Sequence, residues 1–215
     1  MFRKTKKKIG SISVKNKSLS LKRSVAASEF VKKLSKILNK VKSGEIVSSY
    51  ENYENRKKCN MHWDPDHCIK TDCSGFICGI LRDCSSSKLK RFYRNLLAYS
   101  SLDRQNQIKH PMRKNLENLY PPGENFAVFT EDMFDFIKSI QPVSSKKKIL
   151  KKGDLIVLKY SYKKNATGHV MVCWEDVRLE EKEKVQVLEC SCKLNKIGLS
   201  EYDCNDLKNA IHYRF

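Results

Sequence analysis

The apolar residues of this chain change rhythm once, and that change limits the folds open to it. Before residue 141 they recur at helical spacing; from residue 151 they fall in short runs divided by turn residues. Phe30, Val31, Leu34, Ile37, Leu38 and Val41 form one apolar face, with Ser28 able to cap the helix and Gly44 able to end it. Phe76, Ile77, Ile80 and Leu81 predict a buried helix after Cys73, and Leu89, Phe92, Tyr93, Leu96 and Leu97 a second over 87–100. Thr130, Glu131 and Asp132 open another, faced by Met133, Phe134, Phe136, Ile137 and Ile140. Beyond the turn Lys151-Lys152-Gly153-Asp154, strands are expected over 155–160, 169–174 and 184–190, with a last edge strand at 210–215. A Glu/Lys-rich hairpin tip separates the second strand from the third. Residues 45–72 read as a loop, and the Pro-containing stretch 101–128 as a surface insertion. Helices first and a meandering antiparallel sheet second define an α+β architecture, the N-terminal helices packed on the C-terminal sheet.

Charge divides the chain again. The net charge is +19, and residues 1–44 hold 14 Lys and Arg against the single acid Glu29. Residues 1–24 have no sustained period and are expected to be a disordered basic tail before one domain over 25–215. The cluster Arg3, Lys4, Lys6, Lys7 and Lys8 offers an anionic partner a binding surface, beside the plainer expectation of a solvated tail. No apolar run approaches the roughly 18–20 residues that span a bilayer, so no transmembrane segment is expected. The charged start lacks an apolar stretch after it. The expectation is a cytoplasmic protein, or one exported without a cleavable signal peptide.

Nine cysteines are many for 215 residues. They are odd in number, and a chain this long does not need disulfide staples, so most are expected as reduced thiols; four bridges and one free thiol is the competing reading. The Asn16 and Asn165 sequons matter only in a secretory compartment. Cys59, His62, His67 and Cys68 are weak candidate ligands for a structural zinc, and Cys190, Cys192 and Cys204 form another group. Adjacent His67 and Cys68 are not a usual ligand spacing.

Cys73 is the candidate nucleophile. It stands where a polar loop becomes an apolar helix, and unpaired N–H groups with the positive end of the helix dipole favour thiolate there. Gly75 allows close approach of substrate backbone, and the Cys73 N–H can face a developing oxyanion. Asp72, Ser74 and Gly75 together make the expected oxyanion and substrate loop. Cys78 and Cys84 fall inside the helix and at its end, as core thiols. Of the five histidines, 62, 67, 110, 169 and 212, His169 follows Gly168 at a strand mouth, rigid yet near the surface, which suits a base shared with a helix-borne thiol. The group orienting that imidazole is expected on the next strand. Glu189 stands there in an otherwise apolar run, where a carboxylate needs a partner unless it simply ends the strand in water.

Asp72-Cys73-Ser74-Gly75-Phe76, Gly153-Asp154-Leu155-Ile156 and Gly168-His169-Val170, in that order, resemble the NlpC/P60 group of papain-like cysteine hydrolases. The resemblance covers about residues 70–82 and 151–191. It implies a papain-like fold with Cys73 as nucleophile, His169 as base and Glu189 as the polar residue orienting the imidazole, where the family often has histidine. It implies a peptide-like or acyl substrate and no cofactor. Trp63-Asp64-Pro65-Asp66 replaces the aromatic, Gly-rich segment of wall-cleaving members, and 96 residues separate Cys73 from His169. These departures turn the expectation from peptidoglycan toward another amide, ester or thioester. The alternatives are a basic nucleic-acid- or protein-binding module on a catalytically degenerate scaffold, and a small zinc-binding protein.

Overall fold

The computed structural model describes residues 24–51, 62–106, 128–141, 149–160, 168–207 and 209–215. The basic tail up to residue 23, Cys59, His110 and most of the expected insertion lie outside the described residues.

Helix α1 spans Val25–Ser43. Ser24, not Ser28, caps it: the Ser24 hydroxyl accepts the Ala27 N–H, and the helix starts a turn earlier because the small Ala26 and Ala27 are themselves buried. Gly44, at φ 79°, ends it in the left-handed conformation that glycine adopts without strain. Helices α2 (Cys73–Arg82), α3 (Ser87–Asn106) and α4 (Thr130–Ile140) follow. The expected core faces hold for Leu89, Phe92, Leu96, Met133, Phe136 and Ile137, whereas Ile140 is exposed.

The stretch expected to be a loop before Cys73 contains a small sheet. Strand β1 (Val47–Tyr50) runs parallel to β3 (Cys68–Thr71), and β2 (His62–Asp64) pairs antiparallel on the other side. These strands have three or four residues each, too few to show a period. Their anchor is Trp63, whose Nε1 donates to Asp83 at 2.8 Å and whose ring lies where a Cβ on Gly79 of α2 would be, 2.4 Å away. The next short strand, β4 (Ile149–Leu150), pairs with β7 (Val177–Arg178).

The main sheet is antiparallel, in the order β10-β5-β6-β8-β9, from β5 (Leu155–Lys159), β6 (Gly168–Cys173), β8 (Lys184–Ser191), β9 (Lys196–Asp203) and β10 (Ile211–Tyr213). Strand β10 is the expected edge. Strand β9 is the element that the periodicity missed; it forms a hairpin with β8 over eight residue pairs.

Both sheet faces are apolar. Leu155, Val157, Val170, Val172, Leu188, Cys190 and Ile197 pack with the helices. Ile156, Met171, Cys173, Val185 and Val187 pack with Leu150, Val177, Cys204 and Leu207 on the opposite face. Arg214 and Phe215 close the helical side. The Phe215 ring meets Phe30 at a tilt, centroids 4.8 Å apart, the Phe215 carbonyl accepts the Ser24 hydroxyl, and Arg214 makes a two-pronged ion pair with buried Asp154 at 2.8 and 2.6 Å.

Candidate active site

Strand β3 delivers the chain to Asp72, the cap of α2. Asp72 Oδ1 accepts the Gly75 N–H at 2.7 Å and the Ser74 hydroxyl at 3.1 Å. Ser74 and Gly75 are buried and Asp72 is half-buried, and together these three residues of the expected substrate loop fix the helix start. Cys73 is thereby the first helical residue, its thiol beside the positive end of the dipole.

The sheet opens where the thiol arrives. Strands β6 and β8 pair only at Val172 with Leu188 and Cys173 with Val187, although β6 begins at Gly168 and β8 runs on to Ser191. Cys173 bonds through its N–H and carbonyl toward β5, and the Trp174 N–H bonds to Gln186 of β8. Strand alternation therefore points the Val170 N–H at the β8 side, beyond the end of the ladder. From there it helps to lower the pKa of the Cys73 thiol. The thiol comes from the helical side of the sheet. His169 and Glu189 belong to the rows of Met171 and Val187 on the other side, and the three meet through this gap.

His169 Nε2 is hydrogen-bonded to Glu189 Oε2 at 2.5 Å, and the imidazole lies close enough to Cys73 for its charge to be the leading influence that lowers the thiol's pKa. With Nε2 on the carboxylate, Nδ1 is the nitrogen left for the sulfur. Glu189 is fully buried, not at the water's edge. Its Oε2 also accepts the Tyr202 hydroxyl at 2.9 Å, and its Oε1 accepts Ser200 and Ser191 at 2.5 and 3.1 Å. The Tyr202 ring stacks on His169, centroids 6.3 Å apart and planes 23° apart. The partner that a buried carboxylate requires is thus present fourfold.

Sequence reasoning missed Thr130, whose hydroxyl lies 3.5 Å from the Cys73 sulfur. Asp132 holds it in place by accepting the Phe129 N–H at 3.0 Å and the Ser100 hydroxyl at 2.8 Å, which fixes the first turn of α4. It also missed Ser191, Ser200 and Tyr202. Gly198, Ser200 and Tyr202 alternate along β9 on the face of Glu189, a period-two signal visible only once β9 is recognised.

Electrostatics separate Cys73 from other thiols. Burial alone would raise its pKa, but the His169 charge and hydrogen bond, then Thr130 and the Val170 N–H, bring it from 9.0 down to about 7. Burial pushes Cys84 and Cys173 up to about 12, and raises Cys190 and Cys204 as well. Burial disfavours the charged imidazole, yet the Cys73 thiolate and then Glu189 raise His169 to about 10. Glu189 is pulled below its ordinary value against burial, by His169, Ser200 and Tyr202. At neutral pH the arrangement favours thiolate beside imidazolium. The pair is mostly buried, Cys73 being 6% and His169 9% exposed, in contrast to the accessible placement expected.

Gly168 is required next to this pair. A Cβ there would stand 2.1 Å from the Leu158 carbonyl and 3.1 Å from the Thr130 methyl. Gly168→Ala is therefore expected to cost about 1–3 kcal/mol through forced backbone movement, read as a lower midpoint in denaturant, with weakened Cys73 reactivity as His169 moves with its strand.

Among the described residues the other candidates do not converge. His67 is exposed and bonded through Nδ1 to Asp64 at 2.8 Å, His62 is exposed at the start of β2, and Cys68 is half-buried. Cys190 lies in the helix-side core, Cys204 in the opposite cluster, and Cys192 is exposed. Among the described residues no group of three His, Cys, Asp or Glu side chains gathers as a metal site, and no helix is long and apolar enough to cross a membrane. The eight described cysteines are free thiols. Comparison with protein-family models, with curated proteins and with solved structures finds no match to this chain.

Proposed function

We propose that the protein is a thiol hydrolase of papain-like design that cleaves an amide, ester or thioester bond through Cys73, His169 and Glu189. One observation carries the reading. A single imidazole is hydrogen-bonded to a buried carboxylate on the neighbouring strand and lies close enough to a helix-borne thiol for its charge to be the leading influence that lowers the thiol's pKa. The order of the three motifs, and a helix-borne cysteine packed on an antiparallel sheet, support kinship with the NlpC/P60 group.

In this mechanism the Cys73 thiolate adds to the substrate carbonyl. The Cys73 N–H, at the helix start, stabilises the negative oxygen. The His169 imidazolium gives its Nδ1 proton to the leaving amine, alcohol or thiol as the carbonyl re-forms, leaving a thioester on Cys73 and a neutral imidazole. That imidazole takes a proton from water, hydroxide adds to the thioester, and the acid departs as thiolate and imidazolium are restored. Glu189 keeps Nε2 protonated and the ring oriented throughout.

The test is an acyl trap. The full chain is mixed with p-nitrophenyl acetate, quenched in acid and mapped by peptide mass. The reading predicts one acetyl group on the Cys73 peptide, formed and lost with turnover and absent from Cys73→Ala. A wild-type protein that gains no acetyl group on Cys73, or gains it no faster than on exposed Cys192, contradicts the hydrolase reading and favours a degenerate scaffold.

A further inference from the structure

We infer that Tyr202 is a positioning residue of this site, its hydroxyl with that of Ser200 keeping Glu189 ionised inside the protein and its ring holding the His169 imidazole in plane. The inference rests on the hydrolase reading and deepens it. An unpartnered carboxylate buried as fully as Glu189 would take up a proton and cease to anchor the imidazolium. Here each carboxylate oxygen has two donors: Oε2 has His169 at 2.5 Å and Tyr202 at 2.9 Å, and Oε1 has Ser200 at 2.5 Å and Ser191 at 3.1 Å. Only one donor is the base itself. The three hydroxyls can satisfy the carboxylate whether or not His169 is charged, so Glu189 keeps its charge while the imidazole cycles.

Tyr202 differs from the serines because it touches both partners. Its oxygen bonds to Glu189 while its ring lies offset beside His169, centroids 6.3 Å and planes 23° apart, so that it borders the imidazole and limits its rotation away from Cys73. The hairpin builds this contact. Glu189 pairs with Gly198, and Ser200 and Tyr202 follow on the same face at every second residue. The titratable groups that act on the carboxylate and the imidazole are Cys73 from α2, Tyr160 after β5 and Tyr202 on β9, while Cys190 on β8 lies on the helix side of the sheet. Tyr202 stays protonated over the working range, since burial and the Glu189 charge both raise its pKa.

The experiment compares full-length wild type with Tyr202→Phe, which keeps the ring, and Tyr202→Ala, which loses ring and hydroxyl. The ¹³C shift of the Glu189 carboxyl is followed against pH, and p-nitrophenyl acetate turnover gives kcat and KM. Tyr202→Phe is expected to raise the Glu189 titration by about one pH unit and to lower kcat about tenfold at unchanged KM. Tyr202→Ala is expected to lower kcat about a hundredfold, as the imidazole also loses its stack. An unmoved Glu189 titration in Tyr202→Phe, or wild-type kcat in both variants, overturns the inference. Failure of the hydrolase reading looks different: wild type itself forms no acyl-enzyme, whatever the carboxyl titration does.

Discussion

Replacing His169 with alanine is expected to slow acylation of Cys73 at pH 7 by about 10²- to 10⁴-fold while the protein stays folded. Two losses combine. The imidazolium charge and hydrogen bond are the leading influences that lower the thiol to about 7 against burial, so without them burial prevails and the thiol pKa rises above its ordinary 9.0. The thiolate fraction at pH 7 then falls from about half to about 1% or less. The leaving group also loses its proton donor. Trapped acetyl-enzyme measured against time gives the rate, and circular dichroism verifies the fold. A variant acylated at the wild-type rate would remove His169 from the mechanism.

Glu189→Ala is expected to lower stability by about 3–5 kcal/mol and catalysis by at least about a hundredfold. The stability loss follows from stranding partners. Tyr202, Ser200 and Ser191 all point hydroxyls at the deleted carboxylate, and a charged His169 would be left in a buried place without its counterion. Glu189→Gln keeps the shape but puts an amide N–H₂ among groups that all donate, so it is expected to be better tolerated in folding than in activity. Urea unfolding and acetyl-enzyme formation on both variants separate the effects. If Glu189→Gln matched wild type in both, the carboxylate would be neither a structural anchor nor a positioning group.

The parts of the fold legible in the sequence are those in which local chemistry and burial agree. Cys73 starts a helix because Asp72 can cap it and the following residues are apolar. Gly168 before His169 and an acid in an apolar run were both readable as unusual: the glycine leaves room where a Cβ would meet Leu158 and Thr130, and the acid is hydrogen-bonded to His169. Strand β1 was not legible because long-range contacts hold it: the Tyr50 N–H donates to the Asn195 carbonyl, and the Ser48 hydroxyl accepts the Ile197 N–H. Thr130 read as a good helix start, which it is, but its contact with a sulfur 57 residues earlier has no local trace. The motif glycine, Gly75, read as a place for substrate. Its N–H is committed to the cap, because the same Asp72 that makes the helix begin there takes it.

The central claim is that Cys73 and His169 share a proton as one unit inside a gap in the sheet. It is tested most directly by the rate at which iodoacetamide alkylates Cys73 in the full chain, followed by peptide mass across pH. As the pH rises, thiolate forms beside a still-charged imidazole, so the rate is expected to climb with a midpoint near 7, the apparent value of the coupled pair. A second change is expected near 10, where His169 loses its proton. A single rise centred at about 8.5 or above, as for an unperturbed cysteine, would contradict the account.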